Sequence, residues 1–433
     1  MQKALVLGKG KSGNSAKELL VKLGYDVQVM DSEEVSFDDI YGLSLLCVSP
    51  GISKEIEIIK KAESCGIDVC GELELGFKFL SCKCIAVTGT NGKTTTTSLI
   101  GDICSRSKTT FVGGNIGTPI TSFCLDTKRE DICVLEVSSF QAETFKYFKP
   151  FIGVFLNFGE DHLNRHNTLD CYFREKTKVF SNQRQSEYAV INYDDIKLRQ
   201  FSCELQSNVY YFSLKKKVKG CYLAGGNIYF NDGKTTHKIM NMPENVSEQH
   251  NKQNVLAAVL ACLLSGVEVE SIKNGVINFK KSEHRLEVVT AIKGVQFIND
   301  SKSTNIASTL AAIKSFKQKQ ILIMGGSDKG YNFSDFFNFL PNRVRGIFVV
   351  GETSKKITEA AKIFGYKNIV VAESLEVAAK TAFKVARKGE KVLLSPACAS
   401  FDMFDSYAHR GNEFKRIVWE LKNEICKNEC KKE

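Results

Sequence analysis

The chain has 433 residues, of which 43% are hydrophobic and 25% charged, a composition typical of a globular protein and not of a disordered or fibrous one. Its net charge of +10 suits anionic small molecules such as nucleotides, but it does not indicate nucleic-acid binding. The longest apolar run, residues 255–264, is about half of a membrane span, so no membrane insertion is expected. Fifteen scattered cysteines without a CxxC pair favour reduced thiols in a cytoplasmic protein.

The first part of the chain, up to residue 83, begins with a strand-like apolar run and a glycine-rich turn. Gly8, Gly10 and Gly13 have the spacing G-x-G-x-x-G, and Asp31 ends the second strand-like run about 20 residues later. This pattern is typical of dinucleotide binding and by itself favours a nicotinamide-dependent dehydrogenase. Such turns also bind other diphosphates, or only pack a helix against a strand, so the ligand stays open.

The second part contains the sequence CIAVTGTNGKTTTTSLI at residues 84–100. It predicts a strand, a glycine turn that ends on Lys93, and a helix, which together form a phosphate-binding loop. Val87 replaces the first glycine of the full P-loop pattern, so the loop is a shortened form. Backbone amides and Lys93 would bind a triphosphate, and Thr94 or Thr95 would bind Mg²⁺. The N-K-x-D base-reading motif of GTPases is absent, which argues against a guanine-nucleotide switch.

Two further apolar runs, residues 132–139 and 151–158, predict strands buried on both faces of a parallel sheet. The first contains Glu136 at a strand end, where a magnesium ligand of a nucleotide site is expected, although a glutamate that caps a helix is an alternative. The second leads to His162 and His166, whose i, i+4 spacing lacks a third ligand for zinc.

Lys176 lies in the segment CYFREKTKVF, residues 171–180. At helical spacing its apolar residues form one arc with Lys176 in the middle, while Glu175 points elsewhere. A lysine on a buried face is paired, extends to the surface, or takes part in chemistry, and the spacing does not decide between these.

The third part, from residue 283, has five more strand-like runs, QFIND, ILIMGG, GIFVVGE, NIVVAES and KVLLSPA, separated by helical stretches. In the second part, residues 209–240 contain short strand-like segments and an Asn-Asp-Gly turn at residues 231–233. This pattern predicts a small antiparallel insertion. We therefore expect an α/β protein with three domains, at residues 1–83, 84–282 and 283–433. They would be an N-terminal Rossmann-like sheet, a central P-loop ATPase-type, mostly parallel sheet with the antiparallel insertion, and a C-terminal Rossmann-like sheet.

Nine motifs run in order along nearly the whole chain: GTNGKTT, GGNIG, LEVSSFQ, EDHLNRH, YFREK, EQHNKQN, HRLE, NDSKSTN and SPACAS. Together they resemble the ATP-dependent Mur ligases, and among them the branch that adds D-glutamate. The resemblance implies a monomeric cytoplasmic enzyme of peptidoglycan synthesis that acts on ATP, UDP-N-acetylmuramoyl-L-alanine and D-glutamate. In this family the γ-phosphoryl group of ATP passes to the substrate carboxylate, and the amine of D-glutamate attacks the acyl phosphate.

The resemblance also implies roles for individual residues. Catalysis would depend on Lys93, Glu136, His162 and Lys176. ATP would be bound by Gly89, Thr90, Asn91, Gly92, Lys93, Thr94, Thr95, Asn254, Arg285 and Asp300. Two Mg²⁺ ions would be held by Thr94, Glu136, His162 and Lys176, the last carbamylated by CO₂. The UDP substrate would contact Ser12, Asp31, Ser49, Gly51, Asn115, Ser138 and Gln141. D-Glutamate would contact Lys302, Thr304, Lys329, Ser400 and Tyr407.

The sequence departs from the family pattern at Tyr407, where phenylalanine is expected, and at Lys9 and Lys11 in the first glycine turn. A sibling Mur ligase or a folylpolyglutamate synthase would share the phosphate loop and differ in the acceptor and the amino acid. The dehydrogenase interpretation predicts NADH binding without ATP. The three-part organisation also suggests domain closure about residues 282–284 when ATP binds.

Overall fold

The computed structural model describes residues 2–278 and 283–430. The predicted boundary at residue 282, which is also the start of the predicted hinge, lies outside the described residues. The chain forms two compact units. One contains the chain before Gly159 and the stretch from Thr168 to the gap at 279–282, and the other contains Gly159–Asn167 and the chain after that gap. The three-domain division stays a prediction. No helix in the described ranges is both long and apolar enough to cross a membrane.

The first sheet is the predicted N-terminal Rossmann-like sheet. Its strands are β1 (Lys3–Leu7), β2 (Asp26–Met30), β3 (Leu43–Val48) and β4 (Asp68–Gly71). Its helices are α1 (Lys11–Lys22), α2 (Glu57–Ser64) and α3 (Glu72–Phe77). The strands are parallel, in the order β2-β1-β3-β4. The glycine turn lets α1 pack closely on the end of β1, since a Cβ on Gly13 would lie 1.8 Å from the Gly8 carbonyl oxygen.

The central sheet has nine strands. They are β5 (Lys83–Thr88), β6 (Thr110–Gly114), β7 (Ile132–Glu136), β8 (Ile152–Phe155), β9 (Tyr188–Asn192), β10 (Asn208–Ser213), β11 (Gly220–Ala224), β12 (Asn227–Asn231) and β13 (Thr236–Asn241). Their order is β13-β12-β11-β10-β9-β8-β5-β7-β6. Only β12 and β13 are antiparallel to their neighbours. The predicted antiparallel insertion is therefore an extension of one sheet edge, because β11 pairs in parallel with β10.

Seven helices follow strands of the central sheet along the chain. They are α4 (Lys93–Ser105), α5 (Ser139–Ala142), α6 (Leu163–His166), α7 (Leu169–Thr177), α8 (Ile196–Phe201), α9 (Gln249–Leu264) and α10 (Val269–Ile277). The short helix α6 belongs to the second compact unit. The predicted core helix is α9, whose residues 255–262 are 0% exposed and pack with the apolar face of α4. Cysteines with described side chains are free thiols, and the sulfurs of Cys104 and Cys262 lie 4.0 Å apart between these two helices.

The first and central sheets share part of their core. Val6 of β1 and Ala86 of β5 belong to one buried apolar cluster. Polar contacts cross the same region, since the Glu72 carboxylate accepts hydrogen bonds from the Thr121 amide at 2.9 Å and the Thr121 hydroxyl at 2.7 Å. These contacts explain why the two sheets form one compact unit.

The third sheet lies in the second unit. Its strands are β14 (Glu287–Ile292), β15 (Val295–Asn299), β16 (Gln320–Gly325), β17 (Val344–Val350), β18 (Ile369–Val371) and β19 (Lys391–Leu394). Its helices are α11 (Ile306–Lys314), α12 (Ser334–Asn338), α13 (Ser354–Ile363), α14 (Leu375–Val385) and α15 (Tyr407–Cys430). The strand order is β14-β15-β19-β16-β17-β18, with β14 antiparallel to β15 and the other pairs parallel. The five predicted strands are confirmed, and β14 is an additional edge strand that was not predicted.

Candidate active site

The predicted phosphate loop connects β5 to α4. Gly92 has φ +85° and directly precedes the first residue of α4. A Cβ at Gly92 would lie 2.4 Å from the side-chain oxygen of Asn254 on α9. Only glycine combines this backbone angle with so close a neighbour. The fold thus brings Asn254, predicted from the resemblance to bind adenine, against the loop.

Asn157, which follows β8, fixes the backbone of the same loop. Its side-chain oxygen accepts a hydrogen bond from the Asn91 amide at 2.8 Å, and its side-chain nitrogen donates to the Asn91 carbonyl at 2.9 Å. Its own carbonyl accepts from the Thr90 amide at 3.0 Å. The sequence pattern did not predict this pairing of Asn157 with the loop, because it depends on β5 and β8 being neighbours in the sheet.

Two lysines converge on one carbonyl of the loop. The Lys93 ammonium donates to the carbonyl oxygens of Gly89 and Thr90, both at 2.9 Å. The Lys176 amine donates to the same Gly89 oxygen, also at 2.9 Å. Lys176 is 1% exposed, and its nitrogen lies 4.7 Å from the centre of the Tyr172 ring. The predicted burial of Lys176 is confirmed, and its amine does not extend to the surface.

The prediction that Glu175 points away from the buried face is wrong. Its carboxylate is buried and forms ion pairs with Lys54 at 3.0 Å and with Lys178 at 2.6 Å. Lys54 lies 121 residues earlier, in the segment between β3 and α2. Helical spacing alone does not reveal a partner so distant in sequence.

Glu136 ends β7, which pairs with β5 in the sheet. One carboxylate oxygen accepts a hydrogen bond from the Asn115 side chain at 3.0 Å. The other is buried and has no hydrogen-bond partner within the described ranges. Ser138, not Glu136, caps α5, so the helix-capping alternative is wrong. A buried carboxylate oxygen without a hydrogen-bond partner among the described residues, at the end of the strand next to the phosphate loop, fits a divalent cation.

The first glycine turn opens on a cavity of about 690 Å³. It is lined by the turn itself, by the segments after β2 and β3, and by the loop after β6. The residues predicted to contact UDP line this cavity, except Ser138: Ser12, Asp31, Ser49, Gly51, Asn115 and Gln141. The hydroxyl of Ser138 instead donates to the Gln141 side-chain oxygen at 3.0 Å.

In the second unit, Arg285 and Asp300 lie next to each other. The guanidinium donates to the Ser303 hydroxyl at 2.7 Å and lies 3.8 Å from the Asp300 carboxylate. Asp300 is 0% exposed and accepts hydrogen bonds from the Leu286 amide at 3.2 Å and the Ser395 hydroxyl at 2.8 Å. Burial raises the pKa of Asp300 against the opposing effect of Arg285. The predicted phosphate role of Arg285 and ribose role of Asp300 stay predictions.

The residues predicted to bind D-glutamate follow the carboxyl ends of three neighbouring strands of the third sheet. Lys302 and Thr304 follow β15, Lys329 follows β16, and Ser400 and Tyr407 follow β19. Parallel strands bring such loops to one edge of a sheet. The Lys302 ammonium lies 5.5 Å from the centre of the Tyr407 ring.

Asp161 connects a predicted metal ligand to a predicted D-glutamate ligand. Its buried carboxylate accepts hydrogen bonds from the Tyr331 hydroxyl at 2.5 Å and from Lys329 and the Asn305 amide group, both at 3.2 Å. It also lies 3.7 Å from the His162 ring nitrogen Nε2. Burial favours a raised pKa for Asp161, but Lys329, His162 and the hydrogen bonds outweigh it and hold the pKa well below its usual range. The sequence predicted none of this network.

Arg410 on α15 is another residue whose role was not predicted. Its guanidinium is 1% exposed and donates to the Ser301 hydroxyl at 3.0 Å and the Ser301 carbonyl at 2.9 Å. It also donates to the carbonyls of Ala399 at 3.0 Å and Cys398 at 3.1 Å. Burial lowers the pKa of Arg410 to about 10. Arg410 thus joins the two loops that carry Lys302 and Ser400.

Models of known protein families match two parts of the chain. The Mur ligase middle domain matches residues 87–262, and the Mur ligase glutamate ligase domain matches residues 284–398. The UDP-N-acetylmuramoylalanine–D-glutamate ligase of Caldanaerobacter subterraneus subsp. tengcongensis is 38% identical, over 97% of this chain and 99% of its own. The enzyme of the same name from Koribacter versatilis is 40% identical, over 96% of this chain and 97% of its own.

Solved structures of other Mur ligases share the fold. MurF ligase from Thermotoga maritima in complex with ADP is 19% identical with a TM-score of 0.60, covering 99% of this chain and 96% of its own. The UDP-N-acetylmuramate-alanine ligase MurC from the same organism is 17% identical with a TM-score of 0.61, and the match covers 98% of this chain and 100% of that one.

The matched domains are those of the Mur ligases, ATP-dependent enzymes of peptidoglycan synthesis. The chain belongs to this family and, within it, to the UDP-N-acetylmuramoylalanine–D-glutamate ligases. It is therefore an ATP-dependent ligase, and the dehydrogenase interpretation of the first glycine turn is wrong.

Proposed function

We propose that the protein joins D-glutamate to UDP-N-acetylmuramoyl-L-alanine in the cytoplasm, as a monomer, and converts ATP to ADP and phosphate. The observation that carries this proposal is the identity of 38% to D-glutamate ligases over 97% of the chain. The phosphate loop, the cavity and the cationic loops of the third sheet supply the chemical groups that such a reaction needs.

An amide does not form directly from a carboxylate and an amine at neutral pH, because the carboxylate is a poor electrophile. A carboxylate oxygen of the L-alanine unit attacks the γ-phosphorus of ATP, and the bond between that phosphorus and ADP breaks. The amine nitrogen of D-glutamate then attacks the acyl carbon, loses a proton and expels phosphate. The Lys93 ammonium would neutralise phosphoryl oxygens, and its contacts with two loop carbonyls at 2.9 Å support this role.

Glu136, Thr94, His162 and carbamylated Lys176 are the groups proposed to hold two Mg²⁺ ions. The buried Glu136 oxygen without a described hydrogen-bond partner supports this role. Bound Mg²⁺ would neutralise charge that develops on the transferred phosphoryl group. Glu136 orients Asn115 through its other oxygen, at 3.0 Å.

Lys176 is proposed to capture CO₂ when its amine is neutral. A bond forms between the amine nitrogen and the CO₂ carbon, and a proton is lost to water, which turns a cationic side chain into an anionic one. The contact of the amine nitrogen with the Gly89 carbonyl lies beside the phosphate loop and supports this role. The negative charge of a carbamate on Lys176 would attract a cation bound to the phosphates.

The second unit is proposed to bind D-glutamate. Lys302 and Lys329 supply two positive charges for a substrate with two carboxylates. Ser400, Thr304 and Tyr407 lie in the same group of loops. Arg410 supports this arrangement because it holds the loops of Lys302 and Ser400 through four hydrogen bonds.

Phosphate release from ATP tests this function. Purified protein is incubated with ATP, Mg²⁺, UDP-N-acetylmuramoyl-L-alanine and one amino acid at a time, and Lys93→Ala is run in parallel to subtract contaminating ATPase activity. We expect release only when the sugar nucleotide and D-glutamate are both present. Release with L-lysine or diaminopimelate instead of D-glutamate would assign the chain to a sibling ligase and overturn the proposal.

A further inference from the structure

The buried carboxylate of Glu175 joins two lysines from different parts of the chain. Its oxygens lie 3.0 Å from the Lys54 ammonium and 2.6 Å from the Lys178 ammonium. Burial disfavours the ammonium form of Lys54, but the hydrogen bond with Glu175 and the nearby carboxylates outweigh burial and raise the pKa of Lys54 above its ordinary value. Lys54 is therefore charged at neutral pH, and its contact with Glu175 is an ion pair.

Lys54 connects this carboxylate to one wall of the large cavity. Residues 49–52, in the loop after β3, line the cavity and end two residues before Lys54. The Ile52 amide donates to the Ser49 carbonyl at 3.0 Å, so this part of the wall is a tight turn. A displacement of Lys54 is therefore passed on to the wall.

Lys178 connects the same carboxylate to a second part of the wall. Its ammonium also donates to the Glu143 carbonyl at 2.9 Å, and Glu143 directly follows α5. Gln141 of α5 lines the cavity together with the loop after β3. Two segments of the cavity wall are thus connected to Glu175.

The helix α7 carries Glu175 next to Lys176, and the two side chains have different partners. The Lys176 amine donates to the Gly89 carbonyl at 2.9 Å, and the Tyr172 hydroxyl donates to the Thr90 hydroxyl at 3.4 Å. Because α7 has only nine residues, its position depends on tertiary contacts. Those contacts are with the phosphate loop through Lys176 and with the cavity wall through Glu175.

We propose that the Lys54–Glu175 ion pair positions α7, so that the cavity and Lys176 keep a fixed separation during the reaction. This inference rests on the proposed function, which assigns the cavity and Lys176 to one reaction. The acceptor carboxylate must reach the phosphate loop while its nucleotide stays in the cavity, and a misplacement of about 1 Å can cost about 100-fold in rate. Neither Lys54 nor Glu175 is among the described residues that line the cavity, so both are positioning residues.

A double-mutant cycle tests the pairing. Phosphate release that depends on D-glutamate is measured with varied sugar nucleotide and varied ATP for the wild type, Lys54→Met, Glu175→Gln and the double variant. Lys60→Met is the control, because Lys60 lies on α2 and forms an exposed ion pair with Glu55 at 2.9 Å.

We expect Lys54→Met to lower kcat about tenfold and to raise the KM for the sugar nucleotide about fivefold, with the KM for ATP within about twofold. Glu175→Gln should lose at least as much, because it also gives up the ion pair with Lys178. The double variant should match Glu175→Gln, since its second substitution finds the pair already broken. Lys60→Met should match the wild type.

Three results would overturn the inference. A loss in the double variant that equals the product of the single losses would mean that the two residues act separately. A lower kcat with both KM values unchanged would mean that the pair only keeps the protein folded. Wild-type kinetics in Lys54→Met would mean that α7 is positioned without the pair. Failure of the proposed function looks different, because then the wild-type protein itself would release no phosphate in response to D-glutamate.

Discussion

Lys176 combines a buried position with a contact to the phosphate loop. Since a carbamate requires a primary amine, Lys176→Ala and Lys176→Arg should both lose about 100-fold or more in the rate of phosphate release. Protein equilibrated with ¹³C-bicarbonate should show a carbamate carbon signal by NMR in the wild type and not in either variant. Lys178→Ala, which removes a lysine two residues along the chain, is the control and should keep the signal.

An active Lys176→Arg variant would contradict this role, since a guanidinium at neutral pH does not capture CO₂. A carbamate signal that persists in Lys176→Ala would place the modification on another lysine.

Asp161 is a buried carboxylate that bonds to three side chains of the second unit. Asp161→Asn removes the charge that pairs with Lys329 and should lower the free energy of unfolding by about 3 kcal/mol. Asp170→Asn is the control, because Asp170 forms an exposed ion pair with Lys197 at 2.9 Å and should shift the melting temperature by about 1 °C or less. Thermal unfolding of both variants measures the difference.

The lowered pKa of Asp161 gives this effect a pH dependence. A carboxylate whose pKa is lower in the folded state stabilises the fold above its unfolded pKa of about 4, and this contribution is lost as the pH falls below that value. The two proteins should therefore differ at pH 7 and converge in acid. A constant difference from pH 7 to pH 3 would show that Asp161 acts through packing and not through charge.

Sequence periodicity predicted the burial of Lys176, because that property depends on its own helix. It did not predict the partners of Asp161, Glu175 or Arg410. Tyr331 lies 170 residues from Asp161, and Ser301 lies 109 residues from Arg410. A buried charge at these positions is stable only because distant loops supply its partners. Local sequence spacing does not indicate which residues those partners are.

At the scale of elements, the phosphate loop depends on one close contact between Gly92 and α9. Gly92→Ala would place a Cβ 2.4 Å from the Asn254 side-chain oxygen, at φ +85°. Gly24→Ala is a matched control, because Gly24 has φ +84° but no atom within 4 Å of the position that a Cβ would take. Both substitutions strain the backbone by about 1 kcal/mol, and only Gly92→Ala also displaces Asn254.

We expect Gly92→Ala to raise the KM for ATP at least about tenfold and Gly24→Ala to leave it unchanged. Steady-state kinetics with varied ATP make the comparison. Equal KM values for the two variants would mean that the contact with Asn254 does not shape the nucleotide site.

Strands buried on both faces were predictable, whereas the edge strand β14 was not. The residues of β7 are all buried and form an unbroken apolar run. In β14 only Ile292 is buried, so its sequence gives no comparable signal. The antiparallel segment was predicted as a separate insertion because the sequences of β10 and β11 do not indicate that these two strands pair.

In the whole molecule, the division into two compact units differs from the division into three sheets. The sequence indicates a change of organisation near residue 83, yet the first and central sheets share an apolar cluster. The segment Gly159–Asn167 lies between strands of the central sheet in sequence but belongs to the second unit, through contacts such as that of Asp161 with Lys329. Membership of a unit is thus decided by packing, which the order of motifs does not reveal.

The proposed reaction activates the substrate carboxylate by phosphorylation and then transfers the acyl group to D-glutamate. The most direct measurement uses UDP-N-acetylmuramoyl-L-alanine labelled with ¹⁸O in both carboxylate oxygens, and follows the label in phosphate by ³¹P NMR. We predict that one ¹⁸O atom appears in each phosphate released with D-glutamate, and that L-glutamate gives no such product. Unlabelled phosphate would mean that water hydrolyses ATP without acyl phosphate formation, which would contradict the proposed reaction.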